Sequence, residues 1–562
     1  MSRPYSRREV LKTIGVSAFA SSSWWHSARP RVRDFDLLII GGTLYDGSGS
    51  EGAPADLGIK NGKIAGIGFL QDLSPARKIE VNGLAVAPGF IDFHSHSDEE
   101  LLLGSAAQSK IRQGVTTEVL GQDGDSMAPL HLAMHEELQQ DLRERLQLEL
   151  NWKDFAGYFH QLEQRGLLCN ALSMVGQGTL RHYAVGLDGR PATVEEIAKM
   201  QDLAREAFAQ GAYGISSGLE YTPGSYANAE EIIEVCRAME GHGIYSSHMR
   251  NEDDTVIEAL EEAIRIASRA EVALNVSHLK ASGRRNWHKL PAMFARLDEA
   301  RMAGMQVTCD RYPYVAYSTG LSSLFPLWSR EGGNEKFVTR LKAPALRDSL
   351  KAAVMKDVEK IGGWASVMVS SLSKNPDRQL YEGRNMVEIA GAENAYAKLV
   401  DLIVTEEGGG GMVGFAMSAE EAAQVLSYPH CMIASDGSAL ATEGILRRGK
   451  PHPRSFGTFP RLLGQYVRED RLLSLPEAVR KITALPAETL GLQDRGYLRP
   501  NCWADVVVFD PATVNDRATW AEPQQYPAGI EYVLVNGEIV IDRQKLTGKL
   551  PGKVLRAPWK RS

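Results

Sequence analysis

The sequence is poor in cysteine, and the few cysteines that it has show no metal-binding spacing. Its five cysteines are Cys169, Cys236, Cys309, Cys431 and Cys502. They form an odd set without a C-x-x-C pair, so neither a zinc finger nor a disulfide framework is indicated. Three of them lie in or beside apolar, strand-like runs, which favours buried free thiols.

Long apolar runs and basic stripes are also missing. No apolar run reaches the roughly 18 residues that a membrane-spanning helix needs, and no cluster of basic residues indicates nucleic-acid binding. The 63 Lys and Arg against 70 Asp and Glu give a net charge of −7. A hydrophobic fraction of 43% over 562 residues is typical of a large globular domain with smaller satellites. We therefore expect no nucleic-acid partner and no membrane span.

The first 33 residues differ from the rest of the chain. Paired Arg7 and Arg8 precede a short, weakly apolar stretch and an A-x-A-like site that ends at Ala20. This pattern is typical of a twin-arginine export signal, and a disordered basic N-terminus is the alternative. We therefore expect residues 1–33 to be signal and linker, read by the twin-arginine export machinery. The mature protein would then be periplasmic or secreted.

Both ends of the remaining chain are rich in short strands and turns. Asn-Gly pairs at 61–62 and 82–83 are typical of hairpin turns. The same pattern of short strands and turns occurs near the C-terminus in CWADVVVFDP and EYVLVNGEIV. We expect residues 34–87 and 486–550 to form one small β-domain built from both chain ends.

Residues 88–485 alternate short apolar runs with amphipathic stretches. Together with the strand that ends at His94, the runs VTTEVLG, CNALSMVG, YGISSG, GIYSSH, VALNVSH, MQVTCD and HCMIASD make eight predicted strands. Eight such units favour an α/β fold of the (β/α)8 TIM-barrel type. A doubly wound open sheet is the alternative, although no glycine motif for phosphate binding supports it. The segment at about 320–430 is too long for a simple loop and indicates an insertion.

Polar residues follow these apolar runs where the predicted strands end. They are His94, His96, Asp123, His248, His278 and Asp436. In a barrel the carboxyl ends of the strands converge on one mouth. A single histidine is more often structural, and the H-x-H pair alone also fits loop histidines that bond to the backbone. Four histidines and two aspartates at strand exits instead predict a site for a divalent metal ion.

A series of ordered motifs between about residues 35 and 537 resembles the D-aminoacylase (N-acyl-D-amino-acid deacylase) family of the amidohydrolase superfamily. The matching segments are PGFIDFHSHSD, GVTTEVLGQDG, GISSGLEYTPG, SHMRNE, SHLKASG, DRYPYVAYST, SDG, HPRSFGTF and LPAETLGLQDRGYL. The resemblance implies a metallohydrolase barrel that cleaves the amide of N-acyl-D-amino acids. It also implies that the insertion at about 320–430 is a lid over the active site.

The resemblance also assigns metal ligands. His248 and His278 match the histidines that hold a tightly bound zinc ion. The family's third ligand is a cysteine in a GNCG-like segment, and here Asp123 in GQDG stands at that position. A carboxylate can ligate zinc, and it also suits manganese or another oxygen-preferring divalent ion. Alternatively, Asp123 only forms hydrogen bonds and another group, such as Glu220, bridges the metal.

His94, His96 and Asp436 match the groups around a second, weaker metal position. Asp436 also matches the family's general base, which takes a proton from water and delivers it to the departing amine.

For substrate binding, Arg454 in HPR matches the clamp for the α-carboxylate. The longer link between Asp436 and this motif leaves Arg447 and Arg448 as alternatives. The other positions that match substrate contacts are Lys280, Tyr221, Tyr312 and Ser318. For each tyrosine an ordinary packing role is the alternative.

Two other functions remain open from the sequence alone. One is an amidohydrolase acting on another amide: a cyclic amide or imide, a D-dipeptide or an N-acyl-L-amino acid. The other is an exported binding protein on a degenerate enzyme scaffold, which should lack catalytic groups. The presence of Asp436 and all four histidines argues against the binding protein.

Overall fold

The computed structural model describes residues 34–559, so the expected export signal lies outside the described residues. In chain order the strands are β1 (Phe35–Leu44), β2 (Ala53–Lys60), β3 (Lys63–Gly68), β4 (Pro75–Glu80), β5 (Ala85–Pro88), β6 (Phe90–Asp92), β7 (Val115–Leu120), β8 (Asn170–Ser173), β9 (Val175–Gly176), β10 (Gly214–Gly218), β11 (Ile244–His248), β12 (Ala273–Val276), β13 (Val307–Arg311), β14 (Tyr317–Gly320), β15 (Val367–Ser371), β16 (Gly411–Gly414), β17 (Cys431–Ile433), β18 (Val506–Phe509), β19 (Ile530–Val535), β20 (Glu538–Asp542) and β21 (Lys545–Leu546).

The α-helices are α1 (Leu132–Leu146), α2 (Phe155–Arg165), α3 (Gln177–Ala184), α4 (Val194–Ala209), α5 (Ala229–Cys236), α6 (Val256–Ala270), α7 (Leu290–Met302), α8 (Leu327–Arg330), α9 (Gly333–Lys342), α10 (Arg347–Lys360), α11 (Met386–Thr405), α12 (Ala419–Ser427), α13 (Arg454–Arg461), α14 (Leu475–Ile482) and α15 (Ala484–Thr489). Between residues 34 and 559, no helix combines the length and apolarity needed to cross a bilayer.

Strands from both chain ends form one sheet. Its order is β21-β20-β19-β18-β5-β1-β2-β3, and β4 pairs with β1. The Asn61-Gly62 turn joins β2 and β3, and both residues have positive φ, as a tight hairpin turn requires. The central contact is the antiparallel pairing of β5 with β18, which joins the N-terminal strands to the C-terminal ones. The small β-domain built from both ends is therefore confirmed.

The middle of the chain forms a parallel barrel. Strands β6, β7 and β8 pair in order, and β9 to β13 continue in parallel to β17. Only Met174 separates β8 from β9, so these two segments count as one strand. The barrel then has eight strands. The backbone N–H of Asp436 donates to the carbonyl of His94 at 2.8 Å, so the last strand exit meets the first. The predicted (β/α)8 barrel is confirmed, and His94, His248 and Asp436 lie at exits of its strands.

Amphipathic helices cover the outside of the barrel. In α6 the buried positions include Val256, Leu260, Ala263 and Ala267, which share one face at the helical spacing of three to four residues. The α4 helix begins at a capping box in which Thr193 and Glu196 satisfy each other's backbone N–H groups. The barrel strands β10 and β11 are fully buried along their length, as strands packed on both faces should be.

Between β13 and β17 the chain leaves the barrel and returns. The excursion contains the antiparallel sheet β14-β16-β15 and helices α8 to α11. It has its own apolar core, which includes Leu321, Phe325, Phe337 and Leu399. All five cysteines of the chain are buried and free, as their sequence context indicated.

Candidate metal and amide-binding site

The six polar residues at the strand exits lie together at the barrel mouth. His94 and His96 follow β6, Asp123 follows β7, and His248 is the last residue of β11. The two remaining residues are His278, after β12, and Asp436, after β17. They fall into two groups, and within each group the potential ligand atoms all lie within 4.8 Å of one another. The groups are His94, His96, Asp123 and Asp436, and Asp123, His248 and His278.

Asp123 belongs to both groups. Its Oδ1 lies 3.4 Å from Nε2 of His94. Its Oδ2 lies 3.4 Å from Nε2 of His278 and 3.6 Å from Nδ1 of His248. Oδ2 also lies 3.5 Å from Nε2 of His96, so the carboxylate faces histidines of both groups. On the other side, Oδ1 of Asp436 lies 3.1 Å from Nε2 of His96.

The residues present fit a divalent cation. Within residues 34–559, Nε2 of His94 and Oδ1 of Asp123 are buried without a hydrogen-bond partner. The Nδ1 of His248 and Nε2 of His278 face each other at 3.0 Å. Burying the His94 and Asp123 atoms without a partner is costly, and a divalent cation held between the two groups would satisfy them.

The electrostatics of the cluster also favour positive charge. Burial alone would lower the pKa of His96, but Asp123 and Asp436 raise it to about 9. Burial likewise opposes the charge on Asp436, yet Arg454 and the histidines hold the pKa of its carboxyl below the ordinary range. A bound cation would replace the protons that these histidines otherwise attract.

Three of the site residues have left-handed backbone conformations, which only glycine adopts freely. The φ angles are 53° at Asp123, 35° at His278 and 51° at Asp436. The backbone N–H of His278 donates to Oδ1 of Asp310 at 2.8 Å. Like the Asp436 N–H bond to His94, this contact holds the chain in its strained form. Such strain costs of order 1 kcal/mol or more per residue and is concentrated at functional sites.

A carboxylate that the sequence did not indicate supports His278. Oε1 of Glu252 lies 2.9 Å from Nδ1 of His278, and its Oε2 lies 2.6 Å from Nζ of Lys280. The Lys280 ammonium is itself 2.8 Å from that Nδ1. When His278 binds a cation through Nε2, its proton sits on Nδ1 and needs an acceptor. Oε1 of Glu252 is within reach of that nitrogen and has no hydrogen-bond partner of its own among residues 34–559, and Glu252 also neutralises Lys280.

Two other supporting residues lie beneath the histidines. Oδ1 of Asp310 is 3.3 Å from Nδ1 of His94. Nζ of the fully buried Lys110 lies 2.5 Å from Oδ2 of Asp92 and 2.6 Å from Oγ of Ser435. Lys110 thereby links Asp92, in the strand before His94, to Ser435, the residue before Asp436. Asp310 ends a predicted strand, so the rule that found the other six residues would have found it too.

The residues expected to bind substrate line one cavity of about 910 Å³ together with His96, His248, His278 and Asp436. Nη1 of the buried Arg454 donates to Oδ2 of Asp436 at 2.7 Å. Its guanidinium carbon lies 4.8 Å from the ring centre of Tyr312, whose buried hydroxyl has no partner among the described residues. Arg454 therefore contacts the Asp436 carboxylate directly, and Tyr312 packs against Arg454.

Tyr221 and Ser318 stand at the wall of the same cavity. The ring of Tyr221 lies 4.7 Å from that of His248, and its hydroxyl accepts from Oγ1 of Thr319 at 3.4 Å. Oγ of Ser318 donates to the carbonyl of Met412 at 3.2 Å. Ser318 belongs to the insertion between β13 and β17, and Tyr221 contacts it through Thr319. The insertion also supplies Leu324, Phe325 and Arg330 to the lining of the cavity.

The alternative positions considered for these roles make other contacts. Arg447 is exposed, and Arg448 donates to Oε1 of Glu100 at 2.5 Å. Oε2 of Glu220 lies 3.4 Å from Nε2 of His248, which is the face of that histidine turned away from Asp123. Glu220 therefore groups with His248 and Glu252 and not with the pair of metal groups that share Asp123.

Comparisons with known proteins agree with this geometry. A profile described as the amidohydrolase family matches residues 446–541. D-aminoacylase of Alcaligenes xylosoxydans xylosoxydans is 40% identical over 93% of this chain and 97% of its own length. N-acyl-D-glutamate deacylase of the same organism is 34% identical over 93% of this chain and 96% of its own length.

Solved structures of deacylases are also similar to this chain. A D-aminoacylase structure, described for its binuclear metal centre, is 36% identical, has a TM-score of 0.77, and covers 93% of this chain and 100% of that one. N-acyl-D-glutamate deacylase from Bordetella bronchiseptica, complexed with zinc and a phosphonate inhibitor, is 34% identical with a TM-score of 0.77 and the same coverage. The chain belongs to the D-aminoacylase family of metal-dependent amidohydrolases.

Proposed function

We propose that this protein hydrolyses the amide bond of N-acyl-D-amino acids and releases a carboxylate and a free D-amino acid. The observation that carries the proposal is the meeting, in one cavity, of the two histidine groups joined by Asp123 with the Asp436–Arg454 pair. The histidine groups and Asp123 supply a place for a divalent cation. The Asp436–Arg454 pair supplies a base beside a group that can bind a carboxylate.

Each residue has a distinct role in this proposal. A divalent cation bound here lowers the pKa of water and polarises an amide carbonyl. Asp436 takes the proton of the attacking water and gives it to the departing amine. Arg454, stacked against Tyr312, binds the α-carboxylate through its planar fork of donors. Lys280, Tyr221 and Ser318 line the remaining wall toward the substrate.

We further propose zinc as the cation, with the His248 and His278 position filled first. Zinc accepts both imidazole and carboxylate ligands, and the phosphonate-bound relative was solved with zinc. The carboxylate of Asp123 also suits manganese, which prefers oxygen ligands. Metal analysis of the purified protein would decide between them.

The test is hydrolysis of matched N-acetyl-D- and N-acetyl-L-amino acids by the zinc-loaded protein and by Asp436→Asn. We expect strong preference for the D form, and a loss of about 100-fold or more in kcat in the variant. Asp253→Asn, which alters another carboxylate of the same cavity, is the matched control and should keep its activity. Metal-loaded protein that hydrolyses neither enantiomer would contradict the proposal.

We also propose that the twin-arginine signal exports the protein to the periplasm or beyond. The pairing of Arg7 and Arg8 before a short apolar stretch supports this. Replacing both arginines with lysine should retain the protein in the cytoplasm, as measured by cell fractionation. Unchanged export of that variant would contradict the assignment.

A further inference from the structure

The cavity is lined by basic side chains, and all but one of them have a carboxylate partner. The lysines and arginines of the lining are Arg250, Lys280, Arg330, Lys360 and Arg454. Arg250 pairs with Glu262 at 2.8 Å and Lys280 with Glu252 at 2.6 Å. Lys360 pairs with Asp253 at 3.1 Å, and Arg454 with Asp436 at 2.7 Å.

Arg330 is the exception, because no carboxylate of residues 34–559 lies at salt-bridge distance from its guanidinium. Its Nη2 donates to the backbone carbonyl of Glu220 at 3.3 Å, and its buried Nε has no partner in that part of the chain. Burial lowers the pKa of Arg330, although it stays charged at neutral pH. A partly buried cation with a free donor is unfavourable until an anion reaches it.

The position of Arg330 relates it to the metal-binding residues. It ends helix α8 of the insertion and contacts Glu220, whose carboxylate lies 3.4 Å from Nε2 of His248. Glu220 follows β10, the fourth strand of the barrel, whereas Arg454 contacts Asp436 at the exit of β17, the eighth. Strands four apart in an eight-stranded barrel are opposite each other. The two arginines therefore contact opposite sides of the mouth, with the histidines between them.

We propose that Arg330 binds a second carboxylate of the substrate, so that this protein prefers N-acyl amino acids that carry two carboxylates. Arg454 takes the α-carboxylate, and the second carboxylate lies either on the side chain of the amino acid or at the far end of the acyl group. Arginine suits this role because its donors match a carboxylate in one plane. The inference rests on the proposed deacylase function and specifies its substrate class.

The test compares three substrates with Arg330→Met and the wild type. N-acetyl-D-glutamate carries the second carboxylate on the side chain, N-succinyl-D-leucine carries it on the acyl group, and N-acetyl-D-leucine lacks it. We expect Arg330→Met to lower kcat/KM by about 10- to 100-fold on one or both dicarboxylates, and to leave N-acetyl-D-leucine within about twofold of the wild type. The substrate that suffers the loss identifies which end of the molecule Arg330 binds.

Lys360→Met is the matched control, because it removes a cation of the same cavity that already has partners. Equal losses on all three substrates, no loss on any, or the same selective loss in Lys360→Met would overturn the proposal. Arg330→Lys, which keeps the charge, should recover part of the activity on the affected dicarboxylate. Wild-type protein that cleaves none of the three would instead contradict the deacylase function itself.

Discussion

Nη1 of Arg454 lies 2.7 Å from Oδ2 of Asp436, and both side chains are buried. The other oxygen of that carboxylate faces Nε2 of His96 at 3.1 Å. One carboxylate thus connects the proposed substrate clamp with the proposed metal position. We expect a substrate carboxylate at Arg454 to share the arginine with Asp436, which would leave Asp436 less firmly held and freer to accept a proton.

Arg454→Lys should separate carboxylate recognition from catalysis. Lysine keeps the positive charge but loses the planar fork, so we expect KM for N-acetyl-D-leucine to rise by about tenfold or more. N-acetyl-D-leucinamide, which has no α-carboxylate, should lose much less. Steady-state kinetics on the two substrates measures the difference, and Arg447→Lys at the exposed neighbouring position is the control. Equal losses on both substrates would mean that Arg454 serves Asp436 and not the substrate.

Tyr312→Phe removes a buried hydroxyl that has no partner within residues 34–559. The folded protein loses no internal hydrogen bond, so we expect its melting temperature to stay the same or rise. If the substrate supplies the missing partner, kcat/KM should fall by about tenfold. Thermal unfolding and kinetics on the same preparation distinguish this outcome from a packing role, in which stability falls and activity does not.

Asp123→Cys should change which metal the protein prefers. Asp123 faces histidines of both groups, and a thiolate is a softer ligand that favours zinc over manganese. We expect the ratio of zinc to manganese affinity to rise by about tenfold or more in the variant. Competition titration with a chromogenic chelator measures this ratio without any reference to activity. Asp125→Cys, at a neighbouring position of the cavity, should leave the ratio unchanged.

The sequence predicted that these six polar residues would meet at one mouth, because the barrel brings strand exits together whatever the details of packing. His94, His248 and Asp436 each follow an apolar run, and that local pattern was sufficient. Arg330 and Glu252 could not be found this way. Their importance depends on which partners they have in three dimensions, and one of them lies on an insertion with no barrel periodicity. The positive φ of Asp123 was likewise not predicted from the sequence.

Glu252→Gln should weaken metal binding through His278. Glutamine cannot match the carboxylate as an acceptor for the Nδ1 proton of His278, and it leaves Lys280 without its counter-charge. Loss of such an orienting carboxylate typically lowers metal affinity by about 10- to 100-fold. Chelator competition on the purified protein measures the affinity directly. Glu262→Gln, which removes the partner of Arg250, is the control, and an unchanged affinity in Glu252→Gln would exclude the orienting role.

The stability of the cavity rim should depend on pH through Glu99. Burial raises the pKa of this carboxyl from 4.5 to about 7, with Arg145 opposing the shift and Glu100 and Asp141 reinforcing it. The folded state therefore holds a proton on Glu99 that the unfolded state releases near its ordinary pKa. This contribution to stability is full below about pH 4.5 and is lost as the pH rises toward 7.

Glu99→Gln is neutral at every pH and still accepts a hydrogen bond from Arg145. We expect it to raise the melting temperature by about 1–3 °C at pH 8 and to leave it unchanged at pH 4.5. Thermal unfolding followed by circular dichroism across this range provides the measurement. The control is Glu149→Gln, because the exposed Glu149 pairs with Arg143 and the pKa of its carboxyl is lowered, so that variant should gain nothing at pH 8. A lower melting temperature for Glu99→Gln at pH 8 would show that the ion pair with Arg145 outweighs the cost of burying the charge.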